Sequence, residues 1–211
     1  MTATQQLMLS QKNVLVEAVQ LFDGLAVGTL LNTQPGWAIN PGNFYASGTG
    51  GMSSYLGNLN VAAYTPVPFV TAPNHEAEVV INPVAGANDA YSQGAAVAVQ
   101  PDGSCYFISA ATSFVLGLSV GGAIANYAVV APPGGLGAGA KLRISVTGVG
   151  TNRRTTGSYD IGGGWVTPAA WVDKDWGPGT YFDGGKGGIV GQQGSISIVI
   201  DKFTVRCMAP G

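Results

Sequence analysis

The sequence of 211 residues is short of charge: Asp, Glu, Lys and Arg make up 9% of it, against about 25% in an ordinary soluble domain. Glutamate occurs three times, at Glu17, Glu76 and Glu78, and histidine once, at His75. Each shortage excludes something. One histidine removes histidine-based zinc sites and leaves any Ser-His-Asp triad dependent on His75 alone. The context "APNHEAE" places that residue in a surface turn at the start of a strand. Two cysteines, Cys105 and Cys207, are no disulfide framework and are expected to be reduced thiols. Basic residues are scattered, with Arg153-Arg154 the one adjacent pair, which excludes a nucleic-acid surface. No run approaches the roughly 18 apolar residues of a membrane helix, so no membrane partner is expected. The opening "MTATQQLMLSQKNVLVEAVQ" has no basic leader, apolar stretch or small-residue cleavage site of a signal peptide. Folding in the cytosol of the producing cell is therefore expected.

What is abundant is glycine, 33 residues, with 12 prolines. They cut the chain into pieces too short for long helices. Those pieces alternate or are rich in β-branched and aromatic residues, and so read as strands. "VLVEAVQLF" from Val14 puts Leu15, Glu17, Val19 and Leu21 on one side. "EAEVVINP" sets Ala77, Val79 and Ile81 against Glu76, Glu78 and Val80. "GAAVAVQPDGSCYFIS" is a hairpin turning at Pro101-Asp102-Gly103. "FVLGLSV" from Phe114, "AKLRISVTG" from Ala140 and "SISIVIDKFTVRC" from Ser195 add further strands. Many short strands with frequent turns mean an all-β antiparallel sandwich or barrel. Residues 1–13 lack periodicity and read as an extended arm, with Leu7, Met8 and Leu9 as its apolar grip on a partner. Residues 14–211 form the one domain, and the proline-rich stretch 32–75 reads as long connections rather than a second domain, since it holds no second set of core strands.

The stretch "GGGWVTPAAWVDKDWGPGTYFDGG" (Gly162 to Gly185) concentrates side chains that can carry function. It holds Trp165, Trp171 and Trp176 with Asp173, Asp175 and Asp183. As a sugar platform, Trp171, Trp176 and Tyr181 stack on sugar faces while Asp173 and Asp175 hold hydroxyls. The favoured reading is that the tryptophans are buried anchors of a large loop or meet a neighbouring subunit, since Trp is usually well buried, with the sugar platform as its alternative. The three aspartates offer oxygen for calcium, but Lys174 separates the first two and no EF-hand spacing follows. No metal or cofactor is expected.

Two segments resemble concanavalin A-like, laminin-G-like jelly rolls. "LFDGLAVGTLLNTQPGWAI" (Leu21 to Ile39) is similar to that family's opening strand, a Phe followed by "G-x-L" and then a Trp. "GGKGGIVGQQGSISIVIDKFTV" (Gly184 to Val205) is similar to its closing segment, with "AKLRISVTGVG" in the place of a back-sheet strand. The resemblance implies a jelly-roll β-sandwich over Leu15 to Val205. The family's hydrolases carry E-x-D-x-x-E or E-x-D-x-E on one strand, whereas "EAEVV" lacks the middle Asp and a further acid. A glycosidase needs two carboxylates set across the scissile bond, so no enzymatic activity is expected.

Members resembling this chain recur in tailed phages, which implies a virion structural protein assembled in the host cytoplasm. The expected role is a capsid decoration (cement) protein on the major capsid protein, as a homo-oligomer with a trimer favoured by analogy. Low charge fits, because extensive packing then buries few unpaired ions. The alternative is a lectin-like module of a tail or fibre that binds surface glycans.

Overall fold

The computed structural model describes residues 14–22, 24–38, 43–48, 50–54, 59–66, 73–83, 93–111, 113–131, 137–192 and 198–209. The expected arm with Leu7, Met8 and Leu9 lies outside the described residues. The described strands are β1 (Val14–Leu21), β2 (Trp37–Ala38), β3 (Phe44–Ala46), β4 (Met52–Ser54), β5 (Leu59–Tyr64), β6 (His75–Pro83) and β7 (Gln93–Val97). They continue as β8 (Cys105–Ala110), β9 (Phe114–Val120), β10 (Ala123–Val130), β11 (Ala140–Thr147), β12 (Arg154–Asp160), β13 (Gly188–Gln192) and β14 (Ile198–Met208). Helical structure among the described residues is limited to single 3₁₀ turns.

The strands form two seven-stranded antiparallel sheets. Sheet A runs β12-β11-β6-β14. The other side of β14 is shared, by β4 and then β3 at Ile200 and by β1 along Lys202–Met208. Sheet B runs β10-β9-β8-β7-β13-β5-β2. This is a jelly-roll β-sandwich: the alternation predicted a sandwich or barrel, and the resemblance implied the jelly roll. Ala77, Val79 and Ile81 of β6, Leu142, Ile144 and Val146 of β11, and Phe203 and Val205 of β14 all face the core. Phe22 and Trp37 of the opening motif meet there: Trp37 lies 6.0 Å from Phe22, 5.2 Å from Phe203 and 5.5 Å from Tyr64, ring centre to ring centre. Each such pair adds about 0.5–1.5 kcal/mol beyond its buried area.

Three expectations need correction. The stretch 32–75 is more than long connections: it adds to the one domain's core, since every residue of β5 is buried in sheet B. His75 is no surface turn residue. It is fully buried on β6, and its Nε2 accepts the Ala98 N–H at 2.9 Å. The third concerns Trp171 and belongs to the site below. Cys105 and Cys207 are both free and buried.

Sheet B curls. Beyond β7 the chain bends at Ala98, whose φ of 54° is in the left-handed region. The tips of the β7–β8 and β9–β10 hairpins then reach the start of β5, so that Gly122 lies beside the Leu59 carbonyl. The curl encloses a second apolar cluster on the concave side: Leu59, Val61, Ala63, Ala96, Val99, Cys105, Phe107 and Val190. The Phe107 ring lies directly on Gly117 of β9, where a Cβ would come within 2.3 Å of it. Gly117→Ala is therefore expected to destabilise the fold by about 1–3 kcal/mol in denaturant unfolding, and a paired Phe107→Leu change to recover part of that loss.

Candidate functional site

The chain after β12 determines where the predicted site residues lie. Asp160 turns it, accepting the N–H groups of Gly162 (2.8 Å) and Gly164 (3.0 Å). The chain then runs back along β12 through bridges Tyr159–Val166 and Thr155–Lys174. Because β12 ends sheet A, this loop supplies partners to an otherwise bare strand edge.

The three loop tryptophans separate. Trp171 is 0% exposed and belongs to the core, edge-on to Tyr159 at 6.2 Å. It packs over Gly157, where a Cβ would lie 3.1 Å from the indole. No ring face is left for a sugar, so the alternative stacking role of Trp171 is corrected, and the residue takes the loop-anchor reading that the sequence favoured. Trp176 is half-buried, stacked on Tyr106 at 6.4 Å, with its Nε1–H donating to Thr155 Oγ1 at 2.8 Å. Trp165 is 37% exposed, with the Arg143 guanidinium 3.8 Å from its ring centre.

The aspartates separate too. Asp173 Oδ1 accepts from Thr156 Oγ1 at 3.4 Å. Asp175 accepts from the Gly177 N–H (2.9 Å) and the Tyr181 hydroxyl (3.1 Å) and pairs with Arg154 at 3.2 Å. Asp183 accepts the Gly150 N–H at 2.8 Å. Of the predicted set, then, Asp175 and Tyr181 are joined by a hydrogen bond. Arg153, read from sequence only as half of a basic pair, is a buried clamp. Its guanidinium donates to the carbonyls of Pro73 (2.6 Å), Gly148 (2.5 Å) and Gly184 (2.9 Å), tying three loops together.

Glu76 and Glu78 share the outer face of sheet A, as their spacing predicts. Arg206 Nη1 lies 2.7 Å from Glu76 and 2.9 Å from Glu78, and Arg143 Nη2 lies 2.9 Å from Glu78. Arg206 also pairs with Glu17. All three glutamates are thus committed to arginines. Burial pushes the Glu78 carboxyl up, but Arg143 and Arg206 outweigh it and hold it below the usual carboxylate value.

A groove of about 460 Å³ opens on the concave side of sheet B. Its lining combines the apolar Leu59, Val61 and Ile124 with Asp102, Gln192 and the backbone of Gly103, Gly121 and Gly122. One hydroxyl braces the two turns that wall it. Ser104 Oγ donates to Asp102 Oδ2 and accepts the Gly121 N–H, both at 2.9 Å. Asp102 Oδ1 also accepts the Ser104 N–H at 2.9 Å. These bonds from Ser104 hold the Asp102 carboxyl below its ordinary value, so it is an ionised acceptor at neutral pH. Sequence reading saw only a turn at Pro101–Gly103. The paired glycines after Val120 were the other available signal.

No protein-family model matches the sequence, and no curated protein matches it. Solved structures match in shape. Lectin I from Ulex europaeus, complexed with the methyl glycoside of α-L-fucose, matches with a TM-score of 0.51 and 9% identity, over 90% of this chain and 97% of its own. Lectin UEA-II, complexed with galactose, matches at 0.50 and 10% identity, over 92% and 98%. The fold is the jelly roll of these lectins. A GH43 glycoside hydrolase with endo-xylanase and exo-arabinofuranosidase activity matches at 0.50 and 18% identity over 88% of this chain. This chain spans only 42% of that enzyme's length. At these identities the likeness is one of fold.

Two measurements check the site's architecture. Trp171→Ala is expected to cost about 3–5 kcal/mol in guanidinium unfolding, and Trp165→Ala at most about 1 kcal/mol. Glu78 is depressed in the fold, so its contribution is complete above the unfolded carboxylate range and is lost as pH falls through the folded value. The thermal midpoint is expected to drop on acidification below about pH 4, and Arg206→Met to make that drop shallower.

Proposed function

We propose that this chain is a carbohydrate-binding, lectin-like module and that the concave groove of sheet B takes the sugar. The observation that carries the reading is the groove's amphipathic lining. A sugar ring has an apolar C–H face and a hydroxyl rim. Leu59, Val61 and Ile124 suit the first, and Asp102, Gln192 and bare glycine backbone suit the second. The ionised Asp102 retains lone pairs for sugar hydroxyls beyond those held by Ser104. The volume falls in the range of small-ligand sites, roughly 300–1,000 Å³. The shared fold of two sugar-complexed lectins supports the same direction. These considerations favour glycan binding over capsid decoration as the principal role.

A structural role beside a major capsid protein, as a homo-oligomer in a virion, draws on one observation. Leu15, Val19 and Leu21 of β1 are exposed apolar side chains, with Glu17 between the first two. Such side chains suit packing against a neighbour, and the native mass in solution tests for self-association.

Glycan-array screening followed by calorimetry tests the sugar reading. The parent is expected to bind, and Asp102→Asn to weaken binding by about 1.5–3 kcal/mol, tenfold or more. Gln192→Ala is expected to weaken it less, and Tyr181→Phe, on the loop cluster with Asp175 and Trp176, to leave it unchanged. Loss with Tyr181→Phe and retention with Asp102→Asn would move the site to that loop.

A further inference from the structure

We infer that the groove continues into a second subsite on β10, built around Tyr127, so that the ligand is a linear neutral oligosaccharide and not a single sugar. This rests on the carbohydrate reading above. The strand starts inside the groove, where Ala123 and Ile124 form part of its lining. Pairing with β9 sets Ile124 opposite Ser119, breaks, and resumes with Asn126 opposite Leu118 and Tyr127 opposite Gly117. Directly paired residues share a face of the sheet. Gly117 carries the Phe107 ring on its concave side, while Leu116 and Leu118 face the core. Tyr127, and Val129 opposite Val115, therefore lie on the concave side with Ile124.

Strict alternation from Ile124 would have turned Tyr127 into the core, because side chains change face at every residue. The bulge between Ile124 and Asn126 inserts one residue and reverses that outcome. The result is a strip running out of the groove, with Ile124 41%, Tyr127 60% and Val129 52% exposed. No residue of Ala123–Val130 is charged. A phenol ring offers a broad apolar face and a hydroxyl at its rim, the pairing that a further sugar unit needs. A strip of exposed side chains, one strand wide and continuous with a groove, fits an extended chain of sugars.

The test is calorimetric titration of the parent, Tyr127→Ala and Tyr127→Phe. The probes are gluco-, xylo- and manno-oligosaccharides with β-1,4 links and α-1,4-gluco-oligosaccharides, from one to six units. For a series that binds, affinity of the parent is expected to rise with length. Tyr127→Ala is expected to lose about tenfold on the longer members and nothing on the monosaccharide, and Tyr127→Phe to retain most of the gain. A length-independent parent, or a Tyr127→Ala variant that keeps the length dependence, overturns the subsite while leaving the groove intact. If Asp102→Asn also leaves every affinity unchanged, the groove itself is ruled out. A change in native mass with Tyr127→Ala, without a change in glycan affinity, makes a second copy of the chain the occupant and overturns the proposal.

Discussion

Burial of the central strands of sheet B on both faces governs much of this molecule. A sandwich normally leaves the outer face of each sheet to water, which asks for alternating polar residues. Here the curl of sheet B closes its second face over Leu59, Val61, Ala96, Phe107 and Val190. Strands β5 (LNVAAY), β7 (QGAAV), β8 (CYFISA) and β13 (GIVGQ) consequently carry no charge and show no polar face in place of an alternation. Part of the low charge is thereby explained from within the fold. Strand positions that would carry Lys or Glu in a flat sheet are interior here, so low charge is weaker support for a covered outer surface than composition alone suggests.

Sheet A shows the contrast. Its outer face follows the ordinary rule, with β11 presenting Lys141, Arg143 and Ser145 outward and Leu142, Ile144 and Val146 inward. Charge is concentrated there: Glu17, Glu76 and Glu78 are bound to Arg206 and Arg143. Breaking such a network strands its remaining members with less compensation. This is a structural use of the carboxylates, and the pairing accounts for their place on one strand face without catalysis.

Where the sequence kept a clean period, its reading carried through. Strands β6, β11 and β14 and the β7–β8 hairpin show alternation or a strong turn, and each was legible. Strand β5 was not, because "LNVAAY" is buried on both faces and sits in a proline-rich stretch. His75 looked like a turn residue beside Pro73 and Asn74, yet its ring is needed as an acceptor for the N–H of Ala98 at the bend. Trp171 and Trp176 are indistinguishable by composition. Their fates differ because Gly157 leaves room for one and Tyr106 takes the other. The groove was invisible because Leu59, Asp102, Gly122 and Gln192 are brought together only by the curl.

The brace made by Ser104 has a kinetic meaning. Its hydroxyl joins the turn at Asp102 to the turn at Gly121, so the two walls of the groove are set at a fixed spacing when the chain folds. A ligand of the kind proposed would meet these two turns already set, and the entropy of ordering them would be absent from association. Under the carbohydrate proposal, capture would then be governed by diffusion and orientation more than by rearrangement of those turns, and differences in affinity between ligands would be expressed in how quickly they leave.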